Sequence, residues 1–210
     1  MYVKSILNMP FNSVCYLVSD KSHCIAIDPA MEDMFAINNY LDNKNLTLDY
    51  ILLTHEHYDH IAAIDQLRLE YKDVQLICHE CCNEGMQLPE RNLSKYMDVT
   101  NCTSFVPMPA NKMWYGDSGE DYLKTQIYWF HTPGHTKGSV RILIEDWLFT
   151  GDTIIPGVKT YTKFPGGSKK DLLCSFNRLN TFLDNRVVTV LPGHLTGYTG
   201  NIKYMLDECR

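Results

Sequence analysis

Three histidines and an aspartate occupy six consecutive residues within Thr54-His55-Glu56-His57-Tyr58-Asp59-His60-Ile61. Neutral imidazole and carboxylate together form a borderline-hard donor set, suited to zinc and compatible with iron or manganese. His55 and His57 are two residues apart, so on extended or loop backbone both rings leave on the same side and are able to share one ion. Asp59 and His60 follow as the chain turns towards a helix, a placement that suits a second ion nearby. A purely structural reading would make Asp59 the cap of a polar helix start, a role that requires none of the three histidines.

The neighbouring pattern supplies the elements that must carry this motif. The apolar run Tyr50-Ile51-Leu52-Leu53 before it reads as a buried strand, and Ile61, Ile64, Leu67 and Tyr71 after it have helical spacing. Three further candidate donors also follow strand-like segments. His135 lies in His131-Thr132-Pro133-Gly134-His135-Thr136, Asp152 in Phe149-Thr150-Gly151-Asp152-Thr153, and His194 in Leu191-Pro192-Gly193-His194. A glycine precedes each, allowing a sharp turn that aims the donor across a strand terminus. Strand ends converging on one sheet edge are where α/β proteins place their sites. His23, His79 and His131 fit no such position and are read as surface or structural residues.

With 210 residues and 45% apolar content, the chain has enough material for a full core, expected as one domain spanning 1–210. A net charge of −6 gives no electrostatic reason to bind nucleic acid or an anionic membrane. No signal peptide and no membrane-length apolar run is visible, so a cytoplasmic location is expected. The eight cysteines are then read as free thiols. Cys78-His79-Glu80-Cys81-Cys82 contains a C-x-x-C but has no second pair at zinc-ribbon spacing. Strand patterns at 2–7, 13–19 and 23–28 suggest an antiparallel meander, followed by a helix at 32–41. The motif strand, the helix after His60 and a strand at 74–78 continue a layered α/β pattern. Residues 84–121 show no sustained period and are expected to form a lid or substrate wall. Strands are expected at 123–130, 139–144, 147–149 and 187–191, with helices at 169–183 and 200–208.

The succession THEHYDH, GHT, GD and GH, across essentially the whole chain, resembles the metallo-β-lactamase superfamily, and within it the glyoxalase II-like hydroxyacylglutathione hydrolases and their shorter relatives. That resemblance implies an α/β (α+β) fold, a four-layer αββα sandwich of two mixed sheets. It implies two zinc ions per chain, with iron or manganese as alternatives. His55, His57 and His135 would hold the first ion, Asp59, His60 and His194 the second, and Asp152 would bridge them. A hydroxide between the metals would attack the carbonyl of a small thioester or related acyl bond, with Asp59 and Asp152 setting the spacing and orienting it.

Two departures bear on substrate. The chain ends sixteen residues after His194, so the helical C-terminal domain of full-length glyoxalase II is not expected. The Gly-Arg-x-Asp stretch of many shorter members, shared with iron-dependent persulfide dioxygenases, is altered, with Tyr161 and Lys163 at the Arg and Asp positions. Lys159-x-Tyr161 resembles the Lys-x-Tyr that contacts glutathione in glyoxalase II, which makes Lys159 and Tyr161 the candidate substrate contacts. The competing readings are an iron-dependent sulfur dioxygenase using His55, His135 and Asp152, a β-lactamase or lactonase, and a non-catalytic metal-binding module. The implied partner is a small acyl substrate, with no nucleic acid and no membrane; homodimerisation is left open.

Overall fold

The computed structural model describes residues 1–30, 34–97, 104–122, 124–183, 186–194, 198–201, 206 and 209. Two compact units divide the chain, Met1–Trp114 and Tyr115–Arg210. Each is built on one six-stranded mixed sheet whose strands lie in chain order.

In the first unit the order is β1 (Tyr2–Asn8), β2 (Ser13–Ser19), β3 (His23–Ile27), β4 (Thr47–Leu52), β5 (Gln75–His79) and β6 (Lys112–Trp114). The first three form the expected antiparallel meander. From β3 onward the strands run parallel. Every residue of β2 is buried, as a strand covered on both faces requires. Helix α1 (Met34–Lys44) seats Ile37 and Leu41, four residues apart, into a core shared with Leu17, Ile51, Ile64, Leu67 and Leu76. The register pairs Ile27 with Leu52, so β3 and β4 end side by side. Asp28 N–H then bonds Leu52 C=O at 3.1 Å.

Two expectations need correction here. The helix after the motif is broken into α2 (Tyr58–Ile61) and α3 (Ile64–Glu70). A continuous helix would join the amide of Ala63 to the carbonyl of Asp59, but both have tertiary partners. Ala63 N–H donates to Pro29 C=O at 3.2 Å, and the Asp59 carbonyl accepts from Ser13 Oγ at 2.7 Å. Nor is the 84–121 segment irregular throughout. It holds the end of α4 (Glu80–Met86), a 3-10 turn at Ser94–Tyr96, β6, and β7 (Ser118–Tyr122). Both strands are short and largely exposed, so neither carries the apolar alternation by which strands are recognised.

The second unit orders β7, β8 (Thr125–His131), β9 (Val140–Ile144), β10 (Trp147–Gly151), β11 (Val187–Pro192) and β12 (Tyr198–Asn201). Only β10 and β11 pair in parallel. Helix α5 (Lys169–Leu183), at the expected residues, buries Leu172, Phe176, Leu179 and Leu183 at helical spacing. These pack with Phe130, Leu143, Leu148 and Val190. Arg141 on β9 is fully buried in this unit, with its guanidinium 5.5 Å from the Phe176 ring. None of its side-chain nitrogens meets a hydrogen-bond partner among the described residues. Burial pushes its pKa down to about 9, against the pull of nearby Cys209. Where a terminal helix was expected from residue 200, β12 occupies 198–201; most of the remainder lies outside the described residues. Among those residues no helix is long and apolar enough to cross a membrane.

Candidate metal centre

In the first unit the motif leaves β4 and is wired at once to the end of β3. Thr54 donates twice to Asp28, from its amide to Oδ1 at 2.7 Å and from its hydroxyl to Oδ2 at 2.5 Å. With its own proton committed to Asp28, the Thr54 hydroxyl accepts from Nδ1–H of His55 at 3.0 Å. That bond fixes the tautomer and leaves Nε2 of His55 as the ligand atom. Nδ1 of His60 lies 3.5 Å from the same Asp28 carboxylate, and its Nε2 lies 3.5 Å from Asp59 Oδ2. The His55 ring centroid is 4.7 Å from that of His57 and 4.4 Å from that of His60. All three histidines are buried. Asp28 sits at φ 54°, a left-handed conformation that aspartate tolerates better than most residues. Asp59 lies inside α2, whose cap is His57 with no side-chain capping bond, so the capping explanation of Asp59 fails.

The second unit presents its donors from three loops. At Gly134, φ is +153°, and a Cβ there would fall 2.5 Å from the Leu172 Cα, so glycine alone lets this loop lie against α5. The next residue, His135, donates from Nδ1 to the Tyr161 carbonyl at 2.8 Å, which again presents Nε2. Gly151, at φ 48°, coincides with a register shift between β10 and β11, and the following Asp152 leaves the sheet there. Gly193 N–H donates to Gly151 C=O at 2.8 Å, tying the loop of His194 to that of Asp152. One oxygen of Asp152, Oδ2, consequently faces two imidazoles. It is 3.7 Å from Nε2 of His135 and 3.4 Å from Nε2 of His194.

These separations test whether a metal suits the donors. Two ligands about 2.0–2.2 Å from one tetrahedral zinc are themselves about 3.3–3.6 Å apart. The pairs His60–Asp59 at 3.5 Å, His194–Asp152 at 3.4 Å and His135–Asp152 at 3.7 Å fall at or close to that spacing. They are too long for direct hydrogen bonds. With Nδ1 of His55 and His135 held by protein acceptors, the donor set fits divalent metal.

Sequence reasoning missed Asp28 and Thr54. The only local signal was an Asp-Pro at a strand end; the partnership itself depends on β3 and β4 being neighbours. Tyr161, expected to contact substrate, orients His135 through its carbonyl, and its ring lies tilted against Phe164 with centroids 4.5 Å apart. Phe164, also missed, meets the His135 ring edge-on at 6.4 Å. Lys159 is exposed on the same loop. His23 bonds Asp49, His131 bonds the Lys137 carbonyl, and His79 caps α4 by accepting from Cys81 N–H. The described cysteines are free thiols. Burial and the adjacent Cys78 raise the Cys82 pKa, which disfavours a reactive thiolate. A cavity of about 510 Å³ between β8 and α5 is lined by none of the expected donors.

Residues 8–194 match the metallo-beta-lactamase superfamily. The chain belongs to that superfamily. The expected fold class holds, with two mixed sheets and several helices. Superfamily relatives include a probable metallo-hydrolase, YqgX, of Bacillus subtilis, 30% identical over 88% of this chain and 86% of its own length. A probable polyketide biosynthesis zinc-dependent hydrolase, BaeB, of Bacillus velezensis is 30% identical over 89% of this chain and 75% of its own. The hydroxyacylglutathione hydrolase of Buchnera aphidicola is 29% identical over 75% of this chain, a match that spans only 53% of that enzyme. Among solved structures, the BLEG-1 B3 metallo-beta-lactamase superposes with a TM-score of 0.83 at 28% identity, covering 94% of both chains. TTHA1623, in a di-iron-bound form, gives 0.72 at 27% identity, also covering 94% of both. ETHE1 from Myxococcus xanthus gives 0.75 at 23% identity, covering 95% of this chain and 80% of its own.

Proposed function

We propose that this chain is a dinuclear metallo-hydrolase that cleaves a small thioester or a related acyl bond. In this reading His55, His57 and His135 hold one divalent ion, Asp59, His60 and His194 hold the other, and Asp152 is shared. The observation that carries it is the single Asp152 oxygen facing the Nε2 atoms of His135 and His194 at ligand-to-ligand distances. A carboxylate lying at ligand spacing from two imidazoles is suited to be shared by the two ions that this reading assigns to them.

When bound, the ions would supply a water acidic enough to ionise near neutral pH and an electrophile for a carbonyl oxygen. The chain's own residues do the rest. Asp28, through Thr54, keeps His55 in one tautomer and orients His60. The Tyr161 carbonyl does the same for His135. Phe164 and the Tyr161 ring form an apolar wall beside His135, and Lys159 is an exposed cation for a substrate carboxylate. Apolar walls with a few fixed polar groups are what small-molecule sites use to orient a reacting bond.

Zinc is the preferred metal, in line with the zinc-dependent hydrolase relative. The di-iron form of TTHA1623 keeps iron, and with it the sulfur dioxygenase reading, as the second hypothesis. The test is elemental analysis of the purified protein, followed by a panel of thioesters, lactones and β-lactams, with oxygen uptake measured on a persulfide. Near two equivalents of metal and thioester turnover are expected. One iron per chain with oxygen uptake and no hydrolysis would select the dioxygenase.

A further inference from the structure

Glu56 is the one residue between His55 and His57, and its side chain leaves the motif on the side away from theirs. The backbone at His57 is extended, with φ −68° and ψ 143°. Glu56 is completely buried, and a buried carboxylate costs several kcal/mol unless it is paired. Its Oε1 accepts from Arg91 Nη2 at 2.7 Å, and Arg91 also donates to the Cys81 carbonyl of α4 at 3.2 Å. The space for this carboxylate exists because residue 85 is glycine; a Cβ there would lie 2.5 Å from Oε1. The next residue of the same segment grips the motif on the far side of His57. Asn92 C=O accepts from Tyr58 N–H at 2.8 Å. The Asn92 side chain in turn donates to the carbonyls of Met86 and Phe105, and Phe105 packs edge-on against Tyr58 at 5.4 Å.

We infer that Arg91, through its ion pair with the buried Glu56, is a positioning residue that holds His55 and His57 at ligand separation. The part of the chain expected to form a lid thus underpins the metal-binding turn, gripping residues 56 and 58 on either side of His57. A guanidinium held at two acceptors fixes the carboxylate's position as well as its charge. With both neighbours of His57 anchored, the pitch of the turn is set before any ion arrives. This inference rests on the metal-centre reading above.

The test uses full-length apo-protein titrated with cobalt(II), comparing wild type with Arg91→Met, Arg91→Lys and Glu56→Gln. Two quantities are read, the cobalt affinity and the visible absorption bands, which report ligand geometry. Loss of a ligand's own hydrogen-bond partner lowers metal affinity about 10–100-fold; Arg91 acts one step further out, through Glu56, so Arg91→Met is expected at the lower end, about tenfold, with shifted bands. Arg91→Lys, which retains the charge, should recover part of the affinity. Glu56→Gln keeps the shape and loses the charge, and should move both readouts the same way by a smaller factor. A folded Arg91→Met that binds cobalt within threefold of wild type, with unchanged bands, overturns the inference. That holds even if its melting temperature falls, because a merely structural pair would behave so. Should Arg91→Met fail to fold, Glu56→Gln with wild-type affinity and bands overturns it equally. A wild-type protein that takes up no cobalt sinks the metal centre itself, and the positioning role with it.

Discussion

Gly134→Ala is the most direct way to move one ligand loop while leaving every ligand in place. The new Cβ would lie 2.5 Å from Leu172 Cα, 2.6 Å from its Cβ and 2.8 Å from its amide nitrogen. Ordinary contact begins at 3.4 Å, so loop and helix must separate by close to an ångström. Neither side yields cheaply, because Leu172 is a buried residue of α5 and its amide is bonded to Ser168 C=O. The φ of +153° adds strain of about 1–3 kcal/mol for any residue with a Cβ. Overpacking of a tight contact adds about 1–3 kcal/mol. Movement that relieves one also relieves the other, so a net destabilisation of about 3 kcal/mol is expected. At about 2–4 °C per kcal/mol for a chain of this size, the apo-protein should melt roughly 6–12 °C lower. His135 follows Gly134 directly, and a 1 Å misplacement of a catalytic group costs about a hundredfold. The assays are calorimetry of the apo-protein and kcat/KM of the metal-loaded enzyme. A variant within 2 °C and threefold of wild type would refute the reasoning, since the loop would then have room the geometry denies it.

Asp28→Asn should weaken metal binding about 10–100-fold while the protein stays folded, as measured by competition with a chelator; an affinity within threefold of wild type would remove Asp28 from the centre. Asp152→Ala should abolish most turnover and lower the metal stoichiometry. Lys159→Ala should mainly raise KM, consistent with about 1–3 kcal/mol for an exposed charge contact; equal losses of kcat would overturn both roles. Arg141→Met should stabilise the fold by about 1–4 kcal/mol at pH 7, because it removes a buried charge. The folded-state pKa of Arg141, about 9, lies below the ordinary 12.5, so its cost is complete below pH 9 and fades as the pH climbs above that. The variant's advantage in thermal melts should therefore shrink between pH 9 and 10.5; one that grows instead would show that the sign is wrong.

What was legible in the sequence were features whose cause is local. The 169–183 helix announces itself because Leu172, Phe176, Leu179 and Leu183 keep one stripe, and α5 spans those residues. The strand before the motif is legible because burial on both faces leaves an unbroken apolar run. What escaped depends on elements distant in sequence. Asp28 meets Thr54 across 26 residues through the pairing of β3 with β4. Glu56 meets Arg91 across 35 residues, and Gly85 matters only because that carboxylate lies against it. The break after α2 arises from Pro29 and Ser13, neither of which touches the helix in sequence. Candidate donors can be proposed from sequence because chemistry restricts their types; their supports cannot, since many residues are able to orient an imidazole.

The threading of each sheet in chain order has a consequence in time. His55, His57, Asp59 and His60 belong to a unit whose sheet is complete at Trp114, whereas His135, Asp152 and His194 belong to a unit made entirely afterwards. At a synthesis rate of about 5–20 residues per second, His194 is polymerised about 4–16 s after Trp114. For that interval a newborn chain carries four of the seven proposed donors, with Asp28 and Thr54 in place to orient His55 and His60, while His135, Asp152 and finally His194 are added one after another. Loading with two ions is therefore expected only after His194 has emerged. The metal found in the finished protein should then reflect the ions available around a completed chain, and growth in media of different zinc and iron content should change its identity without changing the yield of folded protein.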